Sequence, residues 1–184
     1  MGSPLETDRL LLRRPRLGDT RAAEELVTDP EVMRFLGGMT VPKEHVPAVV
    51  RRWMDRWRVD GLGPFIVERR EDGRFVGRAG ILVWDTREWR HTSLAEAGAF
   101  AQPELGWALA RACWGNGYAT EAARAVRAWA RSERGIGRLV SLVAPDNIAS
   151  QRVAERLGAR PTKTVTLFDS GDSVVWKHPG AGSA

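Results

Sequence analysis

At 184 residues, with 43% hydrophobic side chains and eight tryptophans, the chain has the size and apolar content of one domain with a sizeable core. Charged residues make up 28%, the formal net charge is +5, and no stretch approaches the roughly 18–20 apolar residues of a membrane span. Wholesale disorder, a membrane-spanning protein and a collagen-like chain are excluded. The one cysteine, Cys113, cannot close an intramolecular disulfide. His45, His91 and His178 are too scattered to complete a zinc ligand set with it, so no metal is expected. Met1 to Glu6 lacks an apolar signal core, which predicts a cytoplasmic protein. Of 28 basic residues only Lys43, Lys163 and Lys177 are lysines, and the arginines are spread along the chain. So diffuse an excess does not predict a nucleic-acid partner.

Residues 8–14 are apolar enough for an opening strand, stopped by Pro15 and followed by a helix over Thr20 to Val27. Asp29-Pro30 caps a second short helix carrying Val32, Met33, Phe35 and Leu36, ended by Gly37-Gly38. From Lys43 to Val59, Val46, Val49, Val50, Trp53, Met54 and Trp57 recur at helical spacing, the clearest amphipathic helix of the N-terminal half. Pro64 to Glu68 and Phe75 to Trp84 read as a hairpin turning at Asp72-Gly73. Residues 85–103, closed by Pro103, read as a connection before the short strand Glu104 to Leu109. Next come the loop Trp114-Gly-Asn-Gly-Tyr118 and a helix with Ala119, Ala122, Ala123, Val126 and Ala130 on one face. Arg138 to Ala144 is another strand, and Ile148 to Leu157 a helix ended by Gly158. Strands near Pro161 to Phe168 and Ser173 to Lys177 close a single domain spanning 1–184, with a frayed tail from Gly180.

A strand, a glycine loop and a helix N-terminus in succession point free backbone amides and a helix dipole at one spot, a site for phosphate oxygens. Gly115 and Gly117 allow positive φ and close approach of a ligand. No Gly-Lys-Ser/Thr follows, which excludes a Walker A loop, and Thr120 stands where a dinucleotide fingerprint needs its third glycine.

The segment Trp114-Gly-Asn-Gly-Tyr-Ala119 resembles the acyl-CoA loop of the GNAT superfamily of N-acetyltransferases, Q/R-x-x-G-x-G/A, with Gly117 and Ala119 at its fourth and sixth positions. Trp114 departs from the first position, but it and the continuation Ala119-Thr120-Glu121-Ala122 are similar to the RimJ/RimL branch. Further matching blocks are Leu5 to Leu10, Asp29 to Met33, Glu104 to Trp107 and Pro145 to Gly158. The resemblance implies a mixed α/β (α+β) fold: a mostly antiparallel central sheet, helices on both faces, and a splayed strand pair at the acyl-CoA cleft. It implies acetyl-CoA as cosubstrate, its pyrophosphate on the amides of Gly115, Asn116, Gly117, Tyr118, Ala119 and Thr120. The pantetheine arm would run beside Trp107 and Leu109, whose strand amides would receive the oxyanion, with Asn147, Ser150 and Arg152 facing the same cleft.

Acetyl transfer to an amine requires removal of the amine's proton, stabilisation of an oxyanion and a proton for the thiolate. Glu104, at the mouth of the strand bordering the cleft, is the candidate base; a solvated strand-end carboxylate is the other reading. Glu96, among Ala95, Ala97, Gly98 and Ala99, is the runner-up. Many family members carry a Tyr acid where this chain has Ala154, which leaves Ser150, or a simple helix cap there, as the nearest hydroxyl. Asn147 joins Glu104 and Ser150 as the expected catalytic set. Cys113 has no His near it in sequence, and Glu121 suits a helix-dipole cap. Arg124 is a second candidate for the nucleotide phosphates. Trp53 and Trp57 read as core, and Trp84 and Trp89 flank the acceptor side. The function expected is N-acetyltransfer to a primary amine of a protein N-terminus or small molecule, with a homodimer compatible. The missing Tyr keeps open a non-catalytic acyl-CoA binding or sensing module.

Overall fold

The computed structural model describes residues 3–180, so the tail expected from Gly180 falls almost wholly outside the described residues. A short strand, β1 (Leu5–Glu6), precedes the apolar stretch over 8–14, which forms β2 (Leu10–Arg13) and is followed by α1 (Thr20–Val27), α2 (Pro30–Met33) and α3 (Val46–Asp60). Then come β3 (Pro64–Arg69), β4 (Phe75–Asp85), β5 (Arg90–His91), α4 (Leu94–Ala97) and β6 (Ala101–Leu109). The C-terminal half adds α5 (Tyr118–Ser132), β7 (Val140–Val143), α6 (Ile148–Arg156), β8 (Arg160–Leu167) and β9 (Gly171–Lys177). The strands make one nine-stranded sheet in the order β1-β2-β3-β4-β6-β7-β9-β8, with β5 added to β4. All neighbours are antiparallel except β6 and β7, which run parallel and meet in register only at Glu104 and Val140. Beyond that pair the two strands part, opening a wedge in the middle of the sheet.

Side chains alternate across a strand, and that alternation assigns the helices to faces. Leu12, Val67, Ala79, Ile81 and Leu105 share one buried cluster with Ala122, Ala123 and Val126 of α5. Ile66 and Ala108, on the opposite face, pack with Ala23 and Leu26 of α1 and Val46, Val50 and Trp53 of α3. Small residues on α5 let the helix lie close to the sheet. At one end Trp129 meets Trp57 and Phe65 with ring centroids 5.5 and 5.1 Å apart. The Trp53/Trp57 stripe is therefore core, and the Trp57 indole donates to the Pro64 carbonyl at 2.8 Å.

Three expectations need correction. The connection over 85–103 is ordered into β5 and α4, with Leu94 N–H donating to Asp60 Oδ1 at 2.9 Å. Strand β6 begins at Ala101 rather than Glu104 and runs through Pro103. Proline is tolerated there because that end of β6 has a neighbour only on its β4 side, where Pro103 pairs with Val83. Helix α2 stops at Met33, and Phe35 and Leu36 fall in the turns that follow.

One buried ion cluster ties the N-terminal elements together. Asp19, 3% exposed, accepts from Arg13 Nη2 at 2.6 Å and from the Arg16 amide at 2.7 Å, and Arg13 also bridges to Glu68 at 2.5 Å. Burial alone would raise the Asp19 pKa; the Arg13 bonds and the Arg16 amide outweigh it and hold the carboxyl below its ordinary range. A depressed folded-state pKa stabilises the fold above the unfolded pKa, and that stability is lost as pH falls through the folded value. Asp19→Asn should therefore lower unfolding free energy by about 3 kcal/mol at pH 7. In urea melts the difference from wild type should shrink below about pH 4. A variant as stable as wild type at pH 7 would show the cluster to be neutral.

Candidate active site

The glycine loop begins after β6 and is braced from outside. Gly117, with φ 77°, is the N-cap of α5 and leaves the first turn without a side-chain cap. The amides of Gly115, Asn116, Gly117, Tyr118, Ala119 and Thr120 have no acceptor among the described residues. The Thr120 hydroxyl, buried at the same end of α5, also has no partner. Six free amides, a helix N-terminus and an orphaned hydroxyl form a cradle for anionic oxygens. The Asn116 side chain donates inward to the carbonyls of Cys113 and Trp114, which leaves its backbone amide as the group facing the cradle. Glu121 lies in the first turn of α5, as expected, without a capping hydrogen bond; it accepts from the Thr7 hydroxyl at 2.6 Å and pairs with Arg9, whose guanidinium also reaches the Asn116 carbonyl at 3.0 Å. These contacts anchor the loop to the N-terminal strands.

A cavity of about 360 Å³ runs from this cradle toward the sheet, lined by Gly115, Gly117, Tyr118, Ala119, Thr120, Leu109 and Trp107 on one side and Asn147, Ser150, Arg152 and Arg156 on the other. Arg124 is not among its lining residues. The wedge between β6 and β7 supplies its floor. Leu105 O accepts from Ser141 Oγ on β7, and Ala110 N donates back to Val76 on β4. Backbone groups alternate sides along a strand, so the amides of Trp107 and Leu109 point away from β4 and into the wedge.

A second cavity of about 370 Å³ lies on the α1/α3 side and contains Arg78, Trp84, His91 and Glu104. Phe35, Leu36, Trp107, Asn147 and Ser150 line both, so the two spaces meet at the wedge. There Asn147 caps α6 by accepting from Ser150 N at 3.1 Å, and Ser150 Oγ accepts from the Trp107 indole at 3.3 Å. With its acceptor side occupied by Trp107, the serine hydroxyl keeps its hydrogen to donate.

Glu104 is 8% exposed. Burial is the dominant influence and pushes its pKa up, against the Trp84 indole, the charge of Arg78, the Leu142 amide and the charge of Arg56, which favour the carboxylate. Trp84 Nε1–H donates to Glu104 Oε2 at 2.5 Å. Trp84 thus holds the acid rather than merely flanking the acceptor side, and the ring of His91 covers it at a centroid distance of 3.8 Å. Trp89 is not among the residues lining this cavity; it packs against the cluster that holds Trp84, Val165 and Leu167.

A model of the GNAT acetyltransferase domain matches residues 9–160. The chain belongs to the GNAT acetyltransferase family. It is similar to the Bacillus subtilis protein YkkB, at 32% identity over 171 residues and 90% of each chain. Among solved structures, an acetyltransferase from Agrobacterium tumefaciens aligns with a TM-score of 0.77 at 27% identity, covering 97% of this chain and 95% of that one. A RimL ribosomal-protein acetyltransferase in complex with coenzyme A shares the fold, with a TM-score of 0.72 at 15% identity over 96% of this chain and 97% of that one.

Two residues weighed for the chemistry of this acetyltransferase do not suit it, Glu96 by its position and Cys113 by its protonation. Glu96 closes a capping box with Ser93 at the start of α4, exposed, its pKa lowered by bonds from Thr92 and Ser93. A lowered pKa is the opposite of what a base working near neutral pH requires. Cys113 borders the first cavity, but burial raises its pKa, which disfavours the thiolate. Ala154, where many relatives would carry Tyr, is fully buried with Val143 and Trp176. Sequence reasoning missed Arg78, Phe35 and Leu36 as lining residues; nothing in their local pattern sets them apart from strand and turn neighbours.

Proposed function

We propose that this acetyltransferase moves the acetyl group of acetyl-CoA to a primary amine, of a protein N-terminus or a small molecule, by direct attack. The observation that carries the proposal is the meeting of two cavities at Trp107, Asn147 and Ser150, one built for anionic oxygens and the other holding a buried acid. The free amides of Gly115 to Thr120 and the unpartnered Thr120 hydroxyl fit a pyrophosphate, and Arg152 and Arg156 suit a further phosphate. The likeness to a RimL structure bound to coenzyme A adds support. When bound, acetyl-CoA supplies a thioester carbonyl, activated toward amines, with a thiol as leaving group.

Glu104 takes the proton of the incoming ammonium, directly or through one water, and its raised pKa brings it nearer the working pH than an ordinary carboxylate. The amides of Trp107 and Leu109, fixed by β6 and aimed into the wedge, receive the carbonyl oxygen as it gathers charge. Ser150 donates its hydroxyl hydrogen toward the departing sulfur. Asn147 is a positioning residue that holds Ser150 on the first turn of α6.

Thiol release with a panel of peptides, amino acids, polyamines and aminoglycosides tests the reaction. At least one acceptor should give amine-dependent release; tight acetyl-CoA binding with no such release from any of them would overturn the proposal. Asn147→Ala/Ser150→Ala should lower kcat at least about tenfold while lost capping lowers stability by only about 1 kcal/mol. Full turnover by the folded fraction of a strongly destabilised double variant would reduce the pair to a cap.

A further inference from the structure

We infer that the acceptor carries a carboxylate close to its amine, and that Arg78 is the residue that recognises it. The inference rests on the amine acetyltransfer proposed above and adds the acceptor's charge. Arg78 and Glu104 both line the 370 Å³ cavity, yet they form no ion pair, so a gap separates the two heads. Arg78 projects from β4, the most extensively paired strand of the sheet, and lies over the Trp53 ring at 5.6 Å, so its stem is held.

Within the cavity Arg78 lacks a bonded counter-charge among the described residues. Arg56, half-buried on α3, repels Arg78, and among the described residues neither guanidinium has a hydrogen-bonded carboxylate; both are attracted to Glu104 at longer range, and Arg56 also to Asp60. His91 adds no further positive charge, since desolvation by the groups around its ring and the charges of Arg56 and Arg78 keep it neutral. The acids at the mouth do not compensate. Asp146 is paired with Arg34 at 3.5 Å, Asp172 keeps its charge while accepting from the Thr166 hydroxyl at 2.7 Å, and both are exposed, where water and salt screen them.

An unpaired Arg78 repels a polycationic acceptor and stays a desolvated guanidinium without a partner when a simple alkylamine binds. An aminocarboxylate removes both penalties: its ammonium meets Glu104 and its carboxylate meets the planar fork of Arg78. A cavity of this volume holds a single amino acid or the first residues of a peptide. Two sources share this chemistry, a free amino acid and a peptide beginning with an acidic residue.

The test compares matched pairs differing only in charge: glutamate with its diamide, and an amidated peptide beginning with Asp with the same peptide beginning with Asn. Wild type should favour the carboxylate member of at least one pair by about 10-fold to 100-fold in kcat/KM, the range of a charge-assisted hydrogen bond. In Arg78→Gln that ratio should collapse toward one, and Arg78→Lys, which keeps the charge without the fork, should retain part of it. Calorimetric titration of the same compounds into CoA-saturated protein gives a readout independent of turnover, and Arg78→Lys serves if the Gln variant does not fold. Preference for the free amino acid points to a small-molecule acceptor, preference for the Asp peptide to a chain terminus, and both support the inference. Turnover of amines with no charge preference, or a preference that survives Arg78→Gln, overturns it while leaving amine acetyltransfer intact. Arg78-dependent binding without any turnover supports the anion site and counts against the reaction. Absence of both binding and turnover for every aminocarboxylate tested overturns the inference.

Discussion

Glu104→Gln should lower kcat by roughly 10²-fold to 10⁴-fold while acetyl-CoA affinity stays within a few fold. Gln preserves the shape and still offers an oxygen to the Trp84 indole, so the change removes the carboxylate and little else. Burial makes the ionised form unfavourable in the folded state. For an acid whose folded pKa is raised, stability declines as pH rises from the unfolded value toward the folded one. The Gln variant should therefore melt no lower than wild type at pH 8, which separates loss of chemistry from loss of fold. The acidic limb of the wild-type pH profile should lie above the range of an ordinary carboxylate and should vanish in the variant. Activity should partly recover near pH 9 for acceptors with an α-amine, whose ordinary pKa of about 8 lets solution supply the free base. Trp84→Phe removes a donor that favours the carboxylate and should move the same limb further up. Glu96→Gln, which disturbs only the cap of α4, should be mild. Equal rates for wild type and Glu104→Gln from pH 6 to 9 would remove the base assignment.

The second large effect is expected at the loop. Gly117→Val should weaken acetyl-CoA binding at least tenfold, on the order of 1.4 kcal/mol. The difficulty is the backbone rather than space: a Cβ at Gly117 would meet only Arg9 Nη2 at 3.6 Å, an ordinary contact. A φ of 77° is one that a β-branched residue adopts only under strain. Relief of that strain would rotate the amides of Gly117 and Tyr118 away from the pyrophosphate. Gly73→Val is the matched control, since Gly73 has φ 69° with nothing near its Cβ, in the turn between β3 and β4. It should lose stability and keep affinity. Unchanged affinity in folded Gly117→Val, measured by calorimetry, would remove the loop from the cosubstrate site.

What the sequence determined by itself was local. The stripe from Val46 to Trp57, the Asp72-Gly73 turn, the order of strand, glycine loop and helix around Gly115 to Thr120, and the stop at Gly158 are set by periodicity, turn chemistry and capping, which act within a few residues. The fate of Glu96 was legible too, because Ser93-Leu-Ala-Glu96 has the spacing of a capping box, and its alanine-rich setting drew attention from that signal. Tertiary structure decided the rest. Pro103 reads as a break until one edge of β6 is seen to be unpaired. The bond from Trp84 to Glu104 exists because the antiparallel register sets Leu82 opposite Glu104, so that Trp84 and Glu104 share a face across a diagonal. Arg78 reaches the same cavity by the same register, and the two cavities join because β6 and β7 part after a single residue pair. Register and splay are long-range pairings chosen by the burial of whole faces, and no window of sequence contains both partners.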